Sequence, residues 1–260
     1  MLRSGIKNYI IMKKLLLILF IPFIVNAQQI SVMDAVVLKE GSDAEYMEIE
    51  EFWSKIHADI ISQGKKMQWS IWKTLPGDPL GEKPADYMIF NSYESQEQYD
   101  ASQDIDYAAI AQRVHGISRK KAQKMIDSSF DPRDATRSYT LSIQAQAAVA
   151  DFNPTPGLIC SISLMQEKND DYESFEKEVF KDQFQKAIDI GAQTFWGFTR
   201  VEERSENAYT QFSHICFNIG GENENTVEND FKTQKLVDLG MQSREMIPNT
   251  GSMELILFEN

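Results

Sequence analysis

His214, Asp34, Trp72 and Asn218 are the side chains whose types and spacing could support chemistry in this chain. There are three histidines. His57 follows Ile56 in a run with helical apolar spacing and reads as a boundary residue. His115 stands beside Gly116 in a polar helical stretch and reads as exposed. His214 lies in the alternating run "QFSHICFNI" (211–219), on the same side as Cys216 and Asn218. An imidazole there would titrate near neutral pH and could act as general base or donor. Asp34 is the carboxylate on the matching side of "ISVMDAVVL" (30–38), and pairing with His214 would hold one tautomer of the ring. The competing reading is a histidine hydrogen-bonded in a polar interface, with no orienting partner near it in sequence.

Other chemistries lack their signatures. There is no His-x-His, HExxH or CxxC spacing, so no metal is expected. The run "IGGENENT" (219–226) lacks the glycine spacing and lysine of a phosphate loop, and no serine nucleophile elbow occurs. No cofactor is expected.

The elements that would position these residues come as a unit used twice. An offset of 127 residues places Gly64 on Gly191, Trp69 on Trp196, Phe90 on Phe217 and Asn91 on Asn218. Secondary-structure signals fall in step with it. Each copy opens with a strand, "ISVMDAVVL" (30–38) or "GLICSISLM" (157–165). A helix start follows, with Ser42 and Glu45 or Asp170 and Glu173 at capping-box spacing. Apolar residues then recur at helical spacing until Gly64 or Gly191 stops the helix. Two strands come next, "KMQWSIWK" and "DYMIFNSY", or "QTFWGFTR" and "QFSHICFNI". The first copy continues as a polar helical stretch (94–127) and the strand "SYTLSIQAQ" (138–146). The second continues as a helix (227–244) and "MELILFE" (253–259). The run "ADFNPTPG" (150–157) is the natural linker. Each half reads β-α-β-β-α-β, which is ferredoxin-like, giving an α+β chain. Residues 28–149 form one half, 150–156 the linker and 157–260 the other.

On this order of elements the chain resembles the dimeric α+β barrel superfamily, in which two such antiparallel sheets pack face to face. The resemblance covers nearly all of residues 28–260. It implies kinship with cofactor-free monooxygenases of aromatic polyketides, with haem-degrading enzymes and with the chlorite dismutase group. The chlorite dismutase group would call for an axial histidine on a helix of the second half, where this chain has His214 on a strand. The haem-degrading enzymes use an Asn, a Trp and a His, for which Asn91 or Asn218, Trp72 and His214 are present.

Strand alternation sorts residues onto two faces. One is expected to cover the helices: Met33, Ala35, Val37, Met67, Trp69, Ile71, Met88, Phe90, Tyr139, Leu141 and Ile143, with Cys160, Ile162, Leu164, Thr194, Trp196, Phe198, Ile215 and Phe217. Trp69 and Trp196 are therefore core. The other face is mixed: Asp34, Gln68, Ser70, Trp72, Tyr87, Asn91, Thr140 and Ser142, with Ser161, Ser163, Phe195, Thr199, His214, Cys216 and Asn218. Turned toward a second sheet, it would make a semi-polar pocket. The candidate site is then His214 and Asp34 for catalysis, with Trp72, Tyr87, Asn91, Phe195 and Asn218 around the ligand. Trp72 breaks the repeat, because the second copy has Thr199 there. Cys160 and Cys216 fall on opposite faces and should not bond to each other.

The first 27 residues read as a secretory signal peptide. Lys13 and Lys14 precede the apolar run Leu15–Val25, with cleavage after Ala27. The segment carries four basic residues and no acidic ones, so its removal takes the net charge from −13 to −17. That charge repels nucleic acid and anionic lipid, and no membrane association is expected after cleavage. The expected location is the periplasm or the extracellular medium. Two functions stay open at this point. One is binding, with or without transformation, of a small, partly aromatic molecule between the sheets, in the manner of a cofactor-independent monooxygenase. The other is a non-catalytic interaction module. Further homo-oligomerisation is also open.

Overall fold

A computed structural model of the protein describes residues 28–75, 84–248 and 251–260. The signal-peptide reading lies outside them. The chain runs β1 (Ile30–Leu38), α1 (Asp43–Ser62), β2 (Gln68–Thr74), β3 (Tyr87–Tyr93), α2 (Gln96–Ser102), α3 (Tyr107–His115), α4 (Arg119–Ser128) and β4 (Arg133–Ala148). After residues 149–158 come β5 (Ile159–Glu167), α5 (Tyr172–Ser174), a π-helical segment (Phe175–Phe180) and α6 (Lys181–Asp189). β6 (Gln193–Arg204), β7 (His214–Gly220), α7 (Phe231–Gln242), β8 (Arg244–Met246) and β9 (Ser252–Glu259) complete it.

Eight antiparallel strands close on themselves in the order β7-β6-β4-β1-β3-β2-β9-β5, with β5 returning to β7. β8 pairs with the far end of β5. The first-half strands run β4-β1-β3-β2 and the second-half strands β9-β5-β7-β6, and β2–β9 and β4–β6 join them. The strands thus form one closed barrel, where stacked faces alone would leave four open edges.

Local sequence explains most of the boundaries. Gly64 and Gly191 follow the helix ends with φ of +67° and +75°, a region that costs glycine little. The polar stretch after β3 is broken into three helices, because Ser95, Asp106 and Ser118 each accept a backbone N–H as a side-chain cap. At the expected capping boxes, neither Ser42 nor the residue before α5, Asp171, makes a side-chain cap bond.

The faces differ from expectation. Register sets Met33 opposite Phe90, and Phe90 opposite Ser70, so these three share one side. That side is the barrel interior, where Met33, Ala35, Trp72, Phe90, Tyr139 and Leu141 meet Cys160, Ile162, Leu164, Ile215 and Phe217. Trp69 and Ile71 do lie under α1, and Trp196 and Phe198 under the second-half helices. Alternation was sound within each strand, but β1, β3, β4, β5 and β7 face the opposite way from the expectation. Cys160 is inside and Cys216 outside, on opposite faces with sides exchanged.

Candidate functional site

A cavity of about 450 Å³ occupies one end of the barrel, where β1, β2, β5 and β6 begin and β3, β4, β7 and β9 end. Trp72, Phe90, Phe195, Phe217, Leu141 and Met253 supply its apolar walls. Gln29, Phe152, Pro154 and Asn260 lie at its rim, where the Phe152 ring stacks on Phe195 at 5.2 Å.

The polar groups on the wall are neutral. The Ser31 and Ser92 hydroxyls are 3.0 Å apart on paired positions of β1 and β3. Trp72 Nε1 donates to Ser70 Oγ at 2.9 Å, which fixes the indole plane. Thr199 Oγ1 donates to the Ile215 carbonyl at 3.0 Å. Gln68 and Gln146 add amides. Among the described residues Cys160 is the single titratable side chain on the wall, and burial pushes its thiol up to about 12. The site can desolvate an uncharged ring system and offer it a few hydrogen bonds. It cannot neutralise a buried charge.

Of the expected site residues, Trp72 and Phe195 line this cavity. The others lie on the outer side of the strands, under helices or at the surface. Tyr87 Oη donates to Asp43 at 2.8 Å, Asn91 accepts from Lys66 Nζ at 2.7 Å, and Asn218 accepts from Gln193 Nε2 at 3.0 Å. Asp34 accepts from the Ser138 hydroxyl, and burial raises its carboxyl above the usual range. Asp34 and His214 do not meet, since β4 and β6 separate their strands. The expected pair placed both on an inner face, and the true inner face is the alternate set.

His214 is fully buried between the Phe198 ring (5.0 Å) and the Tyr172 ring (4.9 Å). Its Nδ1 lies 2.8 Å from Ser213 Oγ and its Nε2 3.2 Å from Glu173. Burial pulls its pKa below the ordinary value, and Glu173 only partly opposes this. Those contacts give it a packing role. His214→Ala is expected to cost about 2–4 kcal/mol in urea unfolding, from the lost ring volume and hydrogen bonds, while leaving cavity binding unchanged. A loss of binding without a loss of stability would return His214 to the site.

The other histidines also differ from expectation. His57 is buried, between Trp53 and Trp69, and His115 is half-buried, stacked on Phe52 at 4.4 Å. Sequence reasoning missed Ser31 and Ser92 as cavity polar groups. Their signal was the register of β1 with β3, which a single strand does not carry.

This ring of strands occurs in solved proteins. A candidate monooxygenase from Lactobacillus acidophilus aligns with a TM-score of 0.55 at 9% identity, over 90% of this chain and 96% of its own. A candidate monooxygenase from Fusobacterium nucleatum aligns with a TM-score of 0.55 at 8% identity, over 91% and 95%. The fold is an α+β barrel. At such identities the likeness is one of fold. No protein-family description matches the chain, and no curated protein matches it.

A haem does not fit this cavity. Among the described residues its wall has no imidazole, phenol, lysine or arginine, so propionates would meet no cation there. Of the described lining residues, only Met67, Met253 and Cys160 offer a sulfur to an iron. Among the described residues no cluster of His, Cys, Asp and Glu could hold a metal ion, and no helix is long and apolar enough to cross a membrane.

Proposed function

We propose that the protein is an exported binder of a small, uncharged, partly aromatic molecule, held in the end cavity of a barrel built from two ferredoxin-like halves. The cavity carries this reading: about 450 Å³, walled by Trp72, Phe90, Phe195 and Phe217, with hydroxyls and amides but, among the described residues, no charged side chain. Its size is that of a small-molecule site. The strand orders β4-β1-β3-β2 and β9-β5-β7-β6 support the two-half description, with residues 150–156 as the join. The order of charged, apolar and small residues before Gln28 supports export.

A cofactor-independent, monooxygenase-like activity is the extension of this reading, supported by the candidate monooxygenases that share the fold. Among the described residues no side chain on the wall is a carboxylate or imidazole that could take a proton, so the substrate would need an acidic C–H whose proton passes to solvent.

Two probes that differ by one sulfonate test the binding reading. Neutral N-phenyl-1-naphthylamine should bind saturably, one per chain, with a rise in fluorescence. 8-Anilino-1-naphthalenesulfonate should bind at least about tenfold more weakly, because its charge would be buried unpaired. Equal or tighter binding of the sulfonate, or no saturable binding of either, defeats the proposal.

A further inference from the structure

The cavity is lopsided, and the lopsidedness follows the repeat. At the offset of 127 residues, Gln68 corresponds to Phe195, Ser70 to Gly197, Trp72 to Thr199 and Phe90 to Phe217. All eight line the one cavity. Phe90 and Phe217 meet edge to face, with ring centroids 5.5 Å apart, so equivalent positions of the two halves touch inside the barrel. Trp72 fills the first half's share of the space, its indole anchored on Ser70. In the second half Thr199 has no ring, and its hydroxyl proton goes to a backbone carbonyl. Gly197 adds nothing where Ser70 has a side chain. A Cβ at Gly197 would lie 3.0 Å from the Phe195 ring, so the bare backbone leaves that ring its place.

We infer that Thr199, with the Phe195 ring that Gly197 makes room for, determines what the site accepts: the ligand's ring system lies against them, in the space that the missing counterpart of Trp72 leaves, and faces the Trp72 indole. This rests on the proposed binding function for its ligand, but the shape it describes can be tested without one. An aromatic ring against an anchored indole gains from offset stacking, and the absent side chain at Gly197 lets the Phe195 ring lie flat over that strand as the floor of the berth. The halves thus divide the work, one supplying a wall and the other a berth.

The test is to restore the symmetry. Thr199→Trp should fill the berth, and the graft Phe195→Gln/Gly197→Ser/Thr199→Trp gives the new indole the same serine partner that Trp72 has. Folding is checked by circular dichroism and thermal unfolding. Either variant, once folded, should bind N-phenyl-1-naphthylamine at least about thirtyfold more weakly than the wild type. A second reading needs no ligand. Cys160 lines the cavity and Cys216 does not, and burial pushes both thiols up to about 12, so their labelling rates compare access. With methyl methanethiosulfonate and peptide mapping, Cys160 should label faster than Cys216 in the wild type and at least about tenfold more slowly in the folded variant. If the wild type binds no probe but the variant still protects Cys160, the shape inference stands and the binding function fails. Undiminished probe affinity in a folded variant, unchanged Cys160 labelling, or a wild-type rate no faster than that of Cys216 overturns the inference.

Discussion

Lys66→Met is expected to abolish a pH dependence of stability: relative to this variant, the wild type should gain about 2 kcal/mol between pH 7 and pH 9. Lys66 is 2% exposed. Its Nζ lies 3.0 Å from His57 Nδ1 on α1 and donates to Asn91 Oδ1 on β3 at 2.7 Å, with the Tyr93 ring centroid 5.6 Å away. Asp34 on β1 supplies the opposing negative charge. Burial dominates and lowers the ammonium from 10.5 to about 7. His57, buried beside it, is also held well below its ordinary value, first by burial and then by the Lys66 charge. Below about pH 7 both folded and unfolded chains carry the Lys66 proton. Between about 7 and 10.5 only the unfolded chain does, so the unfolded state binds more protons and stability rises with pH.

The comparison with the variant is essential, because other buried groups push the opposite way. Cys160 and Cys216 are raised to about 12, as is the Tyr93 phenol. Unfolding releases their protons at lower pH, which lowers stability above about pH 8.5 in any variant that keeps them. Urea unfolding of both proteins at pH 7, 8 and 9 cancels these shared contributions. Parallel curves would show that Lys66 keeps its proton throughout.

What the sequence could and could not convey follows from the barrel. Element order was legible because helices and strands have different apolar periods and glycines mark the helix ends. Trp69 and Trp196 read as core because each faces a helix. Inside and outside were not legible, because both sides of a barrel strand are covered. In β1 Ala35 faces the interior and Val36 the helix layer, and both are buried. In β3 the same holds for Phe90 and Ile89. A polar–apolar alternation names the solvent side of an open sheet but has no such meaning here. Asp34, Tyr87, Asn91 and His214 therefore appeared to belong to a pocket, although hydrogen bonds under the helices explain them. Trp72 read correctly as facing away from the helices because β2 is the strand where Trp69 fixes the phase.

A large loss of stability should come from breaking the ion pair beneath α1. Glu50 is 2% exposed, and it accepts from Arg133 Nη2 at 3.1 Å where β4 begins. The guanidinium also sits over the Tyr46 ring at 5.6 Å and the Phe130 ring at 5.0 Å. Glu50→Ala leaves that cation nearly buried without its carboxylate, which should cost about 3–5 kcal/mol in urea unfolding. The pair is not itself a net source of stability. Burial raises the Glu50 carboxyl pKa more than Arg133 lowers it, so desolvation outweighs the attraction. Replacing both partners, as in Glu50→Leu/Arg133→Met, should then restore stability to within about 1 kcal/mol of the wild type. A double variant as unstable as Glu50→Ala would mean that packing around Tyr46, rather than the unpaired charge, sets the loss.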